Sequence, residues 1–309
     1  MHIVSVINYK GGVGKTTMTA NLAAELAWRG RSVLLIDLDP QASLTFSFIQ
    51  PDEWKKEFAE ARTIRRWFDA TSESADFDLA SLIFQPPAVN SEVSPKGGRI
   101  DLIPSHLGLI DVDLELATEL GGATLKQGKK NYLRVHRRLA KGLDMIDPEK
   151  YDLVLIDCPP NFNIVTKTAI VASSHVLIPA KPDYLSTLGI DHLIRALDGL
   201  VNDFNEYAEW DSSHVEEPIS PERLGVVFTM VQEYGSRPIS TIRPFITRTK
   251  RLGVPVFKAY IKENKTMFGD APQYGVPVVL LTGSSATHES VIQGIERFVT
   301  EFEKKLGLE

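Results

Sequence analysis

Residues 10–17 read Lys10-Gly11-Gly12-Val13-Gly14-Lys15-Thr16-Thr17. An apolar run over residues 2–8 precedes them. Residues 16–29 follow, repeating small and apolar side chains on one face until Gly30 closes the pattern. Strand, glycine loop, Lys-Thr and helix in that order are the context a phosphate-binding loop requires. Glycines let successive backbone N–H groups turn inward on phosphate oxygens, and the helix N-terminus adds its positive dipole end. Lys15 is placed to hold the β- and γ-phosphates of a nucleotide, and Thr16 to ligate Mg2+. The usual pattern has glycine five residues before Gly14. Tyr9 stands there instead, and a lysine, Lys10, comes next. A glycine-rich turn with no ligand is the bland alternative, and it does not explain why all four features coincide.

Working outward, residues 32–37, 100–104, 151–157, 175–179, 223–230 and 254–261 are further short runs rich in Val, Ile and Leu, the pattern of buried parallel strands. Helical period fills the gaps: 107–120, with Ser105 as its cap, a basic amphipathic helix over 131–145, then 184–207 and 288–306. The alternation predicts an α/β fold, a doubly wound, mostly parallel sheet with helices on both faces. Residues 1–309 read as a single nucleotide-binding domain with an insertion around 50–98, of which 73–98 are loop-rich.

Composition agrees. The 309 residues are 43% hydrophobic and 24% charged, which excludes a disordered chain or a fibrous repeat. The one cysteine, Cys158, permits no disulfide within the chain and no protein-only zinc or iron–sulfur site; it reads as a small buried residue. No run approaches the ~20 apolar residues of a membrane span, and residues 1–6 lack a leader layout. The expectation is a soluble cytoplasmic protein.

Two acidic motifs join the loop. The second strand ends in Asp37-Leu38-Asp39-Pro40-Gln41, and another in Val154-Leu155-Ile156-Asp157-Cys158-Pro159-Pro160. Carboxylates at the C-terminal ends of parallel strands face the ligand crevice. Asp157 is expected near Mg2+. Of Asp37 and Asp39, one suffices to orient an attacking water, and the other can hold the cation's water shell.

The string from Lys10 to Thr17 resembles the deviant Walker A box of the ParA/MinD superfamily. The segment from Asp37 to Gln41 resembles the ParA family's DxDPQ box, and Asp157-Cys158-Pro159-Pro160 is similar to the same family's third motif. Ile100–Ser105 with Asp113-Leu114-Glu115-Leu116, then Phe228-Thr229-Met230, Ala271-Pro272 and Gly275-Val276-Pro277, look like its later landmarks. Ile261-Lys262-Glu263-Asn264 resembles its adenine-contacting stretch, with Lys262 in place of a proline. The resemblance implies a P-loop ATPase using ATP and Mg2+. Its nucleotide contacts would be Lys10, Gly11, Gly12, Val13, Gly14, Lys15, Thr16, Thr17 and Asn264; its metal site Thr16, Asp37 and Asp157; its catalytic residues Lys10, Lys15 and Asp39. Lys10 would reach the nucleotide of a second subunit in an ATP-dependent homodimer, and Asp39 would favour hydrolysis, slow unless stimulated by a ParB-like or adaptor protein. The short subclass of the family, without a preceding DNA-binding domain, is the expected match.

Net charge is −6, from 34 Lys/Arg and 40 Asp/Glu, which taken as a uniform average weighs against nucleic acid. The charge is not uniform. Residues 234–265 carry Arg237, Arg243, Arg248, Lys250, Arg251, Lys258, Lys262 and Lys265 against Glu263 alone. Residues 126–141 carry seven bases and no acid, and residues 196–222 eight acids and no base. Segregated positive charge can bind a polyanion through phosphate contacts. The resemblance implies non-specific DNA binding through the C-terminal cluster when ATP-bound, hence nucleoid association and positioning or segregation of a plasmid, chromosome or other cargo. Two rivals share the fold. A membrane-cycling ATPase like MinD needs a basic amphipathic tail, whereas residues 288–309 hold five Glu. A metabolic enzyme of the cluster-bearing kind needs a second cysteine.

Overall fold

Every apolar run becomes a strand of one sheet in the computed structural model, which describes residues 1–72, 77–210, 217–234, 237–283 and 285–308. The strands are β1 (His2–Val6), β2 (Ser32–Asp37), β3 (Arg99–Ile103), β4 (Leu153–Asp157), β5 (His175–Ala180), β6 (Glu222–Val231), the short antiparallel pair β7 (Glu233–Tyr234) and β8 (Arg237–Pro238), and β9 (Val256–Lys262). The seven long ones form a wholly parallel sheet in the order β3-β2-β4-β1-β5-β6-β9. Order reverses beside β1, so the loop after β1 opens at the topological switch point, where open α/β sheets bind ligands.

The helices are α1 (Lys15–Trp28), α2 (Pro51–Glu57), α3 (Ile64–Ser72), α4 (Pro87–Val93), α5 (Leu109–Glu119), α6 (Leu125–His136), α7 (Arg138–Asp144), α8 (Ile164–Ala172), α9 (Tyr184–Trp210), α10 (Arg243–Lys250), α11 (Lys265–Asp270) and α12 (Ala286–Leu306). Period-2 alternation sends successive strand residues to two separate cores. Leu34, Ile36, Val154 and Ile156 pack with α3 and α5–α9; Val33, Leu35, Leu153 and Leu155 pack with α1, α4 and α12. This is the predicted doubly wound arrangement.

Three local expectations need correction. Residues 77–98 are not chiefly loop. They hold a 3-10 turn (Leu79–Leu82) and α4, and Phe84 pairs with Leu102 along the outer edge of β3. Residues 51–98 thus wrap an edge strand and bury Phe58, Phe68, Val89 and Val93 on its two sides. Residues 73–76 of that stretch lie outside the described residues. The expected helix 131–145 is two helices, α6 and α7, meeting at Arg137. Ser105 does not cap α5: Gly108 stands at its N-cap, and the Ser105 hydroxyl turns into the protein.

One buried histidine gives the fold a pH signature. His136 is 1% exposed; its Nδ1–H donates to the Tyr132 carbonyl at 2.8 Å, and Nε2 has no partner among the described residues. Burial pushes its pKa from 6.5 to about 4. The unfolded chain therefore binds a proton that the folded one refuses between those values. Stability is fully present above pH 6.5 and is lost as pH falls toward 4. Unfolding titrations should find it about 3 kcal/mol lower at pH 4 than at pH 8 from this group, a slope that His136→Gln removes.

Candidate functional site

The phosphate loop is built by the end of β1 and the start of α1. Gly12 and Gly14 take left-handed φ of 66° and 78°, which a side chain would resist. No side chain caps α1, as is also true of α2, α4, α5, α7 and α10, and its first turn holds no acid. The first N–H groups of α1 are thus left for an external anion. The loop is pinned from both sides. Asn8 accepts from the Lys10 N–H (2.9 Å) and donates to the Pro179 carbonyl (2.6 Å), while the Thr229 hydroxyl donates to the Val13 carbonyl (2.5 Å).

Asp37 and Asp157 end adjacent strands as register partners, both fully buried. The Thr16 hydroxyl donates to Asp157 at 2.6 Å. Burial raises the Asp157 carboxyl to about 7, opposed by the Thr16 bond and by the charge of Lys15. Burial and the neighbouring Asp157 charge push Asp37 well above its ordinary range, opposed by its bonds from Thr45. An all-oxygen set of one hydroxyl and two crowded carboxyls suits a hard divalent cation, which would favour the ionised forms. Thr16 and Asp157 face each other across their hydrogen bond. Asp37 accepts three hydrogen bonds, from the Asp39 N–H (3.1 Å) and from the N–H and hydroxyl of Thr45 (both 2.8 Å), so its oxygens are largely committed to its own chain.

β2 stops at Asp37, and Asp39 begins a tight turn. The Asp39 carboxylate accepts from the Gln41 N–H (3.0 Å), its carbonyl accepts from the Ala42 N–H (2.8 Å), and Ala42 sits at φ 52°. Asp39 is 9% exposed.

A cavity of about 260 Å3 opens beside the loop between α1, the end of β6 and the β9–α11 connection. Gly14, Thr17 and Asn264 line it, as does Met230, whose φ of 52° marks a strained bend at the end of β6. Asn264 is where a base contact was expected, but its Oδ1 is engaged as the cap of α11, accepting from the Met267 N–H at 3.1 Å. Lys262 also lines the cavity. It pairs with Glu233 at 2.6 Å, and that carboxyl, raised by burial, is held below its usual range by hydrogen bonds from Lys262 and Tyr260.

Lys10 stands outside this cavity. Its ammonium donates to both oxygens of Asp183 (3.0 and 2.8 Å) and to Ser186 (3.3 Å) at the start of α9. Burial would raise Asp183, but the bonds from Lys10 and Ser186 hold its carboxyl low. The signal for Asp183 was present: an acid three residues before Ser186 is a helix-start pattern, and the Ser186 N–H donates to it at 2.7 Å.

The described C-terminal bases are spread over several elements. Arg243, Arg248 and Lys250 project from α10 with Arg251 just after it, all exposed, and Arg248 stacks 5.7 Å from the Tyr184 ring. Lys258 lies on the edge strand β9, Lys262 is paired beside the cavity, and Lys265 is exposed on α11. The Arg237 side chain lies outside what the structure describes. Three bases of the cluster at 126–141 are paired from elsewhere in the chain: Lys129 with Glu206 (3.3 Å), and Arg134 and Arg138 both with Glu119 (2.7 and 2.5 Å). Among the described residues, no helix is long and apolar enough to cross a membrane.

A wholly parallel sheet with a glycine loop, an uncapped first helix and buried strand-end carboxyls defines a P-loop nucleotide hydrolase class. Comparison with known proteins narrows it. A family model described as an AAA domain matches residues 1–209. The chromosome partitioning protein ParA of Caulobacter vibrioides is 28% identical over 281 residues, 91% of this chain and 87% of that protein. A replication-protein-A-type sequence from Sinorhizobium fredii is 30% identical over 202 residues, 65% of this chain but only 44% of that longer protein. The solved ATP complex of an Asp-to-Ala variant of McdA from Cyanothece covers 100% of this chain and 97% of its own with a TM-score of 0.72 at 19% identity, a likeness of fold. The chain belongs to the ParA family of the ParA/MinD superfamily, a family of P-loop ATPases that partition and position cargo.

Proposed function

We propose that this chain is a nucleotide-switched ATPase that forms an ATP-dependent homodimer, binds DNA without sequence preference in that state, and positions or segregates a cargo such as a plasmid or chromosome. The observation that carries this reading is the placement of Lys10. It sits on the phosphate loop with its ammonium held by Asp183 and Ser186 at the start of α9, a placement that fits a contact with a second subunit's nucleotide. The first N–H groups of α1 and Lys15 bind the phosphates, with Gly11–Thr17 shaping the loop and Asn264 bordering the base. Thr16 and Asp157 would hold Mg2+, which when bound would supply charge neutralisation for the phosphates; Asp37 acts on that site mainly by charge and by bracing the turn. Asp39 orients water for attack on the γ-phosphate. A ParB-like or adaptor protein stimulates hydrolysis and resets the dimer. In a cell the protein is cytoplasmic and associates with the nucleoid when ATP-bound. The whole chain acts as one ATPase domain, elaborated over residues 50–98.

DNA contact is assigned to α10, whose Arg243, Arg248 and Lys250, with Arg251, form the densest exposed positive surface of the C-terminal cluster. The test is binding to mixed-sequence duplex DNA with ADP, ATP and a slowly hydrolysed ATP analogue, each at two salt concentrations. Binding should appear with ATP and the analogue and weaken steeply with salt. Replacing two of the four bases by alanine should reduce the slope of log K against log salt by roughly 2. Binding indifferent to nucleotide or salt contradicts the proposal.

A further inference from the structure

We propose that Ser105 is a positioning residue for hydrolysis, a latch that holds the Asp39 turn from the neighbouring strand. The inference rests on the reading of Asp39 given above. Ser105 follows β3 and is completely buried, and its hydroxyl and N–H are both spent just past the end of β2. Its hydroxyl donates to the Asp39 carbonyl (2.7 Å). Its N–H donates to the Thr45 hydroxyl (2.9 Å), which in turn donates to Asp37 (2.8 Å). Its carbonyl accepts from the Trp54 indole N–H (3.2 Å). One residue therefore touches the backbone of Asp39, the relay to the Asp37 carboxylate, and the first helix of the segment wrapping β3.

The turn needs such a hold. Ala42, 1% exposed, is kept at φ 52°, a conformation that an alanine resists and that persists only where surrounding bonds over-determine it. The Asp39 carbonyl is the anchor of that turn, accepting from Ala42 as well as from Ser105. Without the Ser105 hydroxyl, one of the two bonds to the anchor is lost and the turn is free to relax. The Asp39 carboxylate would then move relative to the phosphate loop, which the latch does not touch. Hydrolysis should suffer while nucleotide binding does not.

The experiment compares wild type, Ser105→Ala, Thr45→Val, Thr45→Ser and Asp39→Ala. Steady-state hydrolysis, affinity for a fluorescent ATP analogue, and hydrogen exchange of the nucleotide-free protein over residues 39–47 are measured on each. Loss of one net hydrogen bond corresponds to about tenfold in rate. Ser105→Ala should lower kcat about tenfold with analogue affinity within twofold of wild type, and both Ser105→Ala and Thr45→Val should lower kcat and speed exchange over residues 39–47. Thr45→Ser, which keeps the hydroxyl, should retain most of the rate. A Ser105→Ala protein with kcat within twofold of wild type, or with kcat and nucleotide affinity falling together, overturns the latch. An Asp39→Ala protein that hydrolyses ATP at the wild-type rate overturns the reading of Asp39 itself, and the latch with it.

Discussion

Lys10→Ala should bind ATP as a monomer with near wild-type affinity, and should neither dimerise nor turn over. The ammonium makes its contacts with Asp183 and Ser186, while on this reading Lys15 and the first N–H groups of α1 hold the chain's own phosphates. Removing it costs little stability, because the two side chains are 34% and 41% exposed, a setting in which ion pairs contribute about 1 kcal/mol or less. Asp183 also keeps its bond from the Ser186 N–H. In the dimer the same ammonium would meet phosphate oxygens sealed from water. Truncating one side of a buried, hydrogen-bonded charge pair typically costs about 2–5 kcal/mol, roughly 30-fold to several thousand-fold in dimer affinity. Calorimetric titration of the slowly hydrolysed analogue checks the first half of the expectation and light scattering the second. A Lys10→Ala protein that dimerises normally contradicts the role given to this lysine.

Asp39→Ala should keep ATP and lose hydrolysis. A side chain that orients or deprotonates the attacking water contributes about 100- to 10,000-fold to a rate, and neither neighbouring strand-end carboxylate is free to replace it. Asp37 is committed to Thr45 and the Asp39 N–H, and Asp157 to Thr16. The substitution also removes the acceptor for the Gln41 N–H, so a lost turn must be separated from a lost base. Asp39→Asn makes that separation: it retains an oxygen for Gln41 but not the carboxylate. Both variants should show the same fall in phosphate release, with Asp39→Asn melting at the wild-type temperature. Full activity in Asp39→Asn contradicts the assignment.

Much of this site was legible in the sequence because its parts lie at the ends of strands buried on both faces. Such strands read as unbroken apolar runs, and Asp37 and Asp157 stand where Ser32–Asp37 and Leu153–Asp157 stop. The segment around 50–98 was illegible for the opposite reason. Helices of seven residues, such as Pro51–Glu57 and Pro87–Val93, are too short for a 3.6-residue period to declare itself. Charge counted along the chain also says too little: Lys129, Arg134 and Arg138 look unpaired because Glu119 and Glu206 arrive from other helices. Ala42 and Met230 carry left-handed backbone without the glycine that would advertise it, so the two bends beside the site gave no local sign. Ser105 read as a helix cap, the commonest use of a serine before a helical period, and only the packing of β3 against β2 shows its hydroxyl turned toward Asp39.

The central claim is that ATP joins two of these chains. Light scattering of Asp39→Ala with Mg2+ and either ATP or ADP tests it most directly, since the variant should hold its nucleotide unhydrolysed through the measurement. The account predicts twice the 34.3 kDa chain mass with ATP and the single chain mass with ADP. A single chain mass with both nucleotides, in a protein shown to have bound ATP, would contradict it.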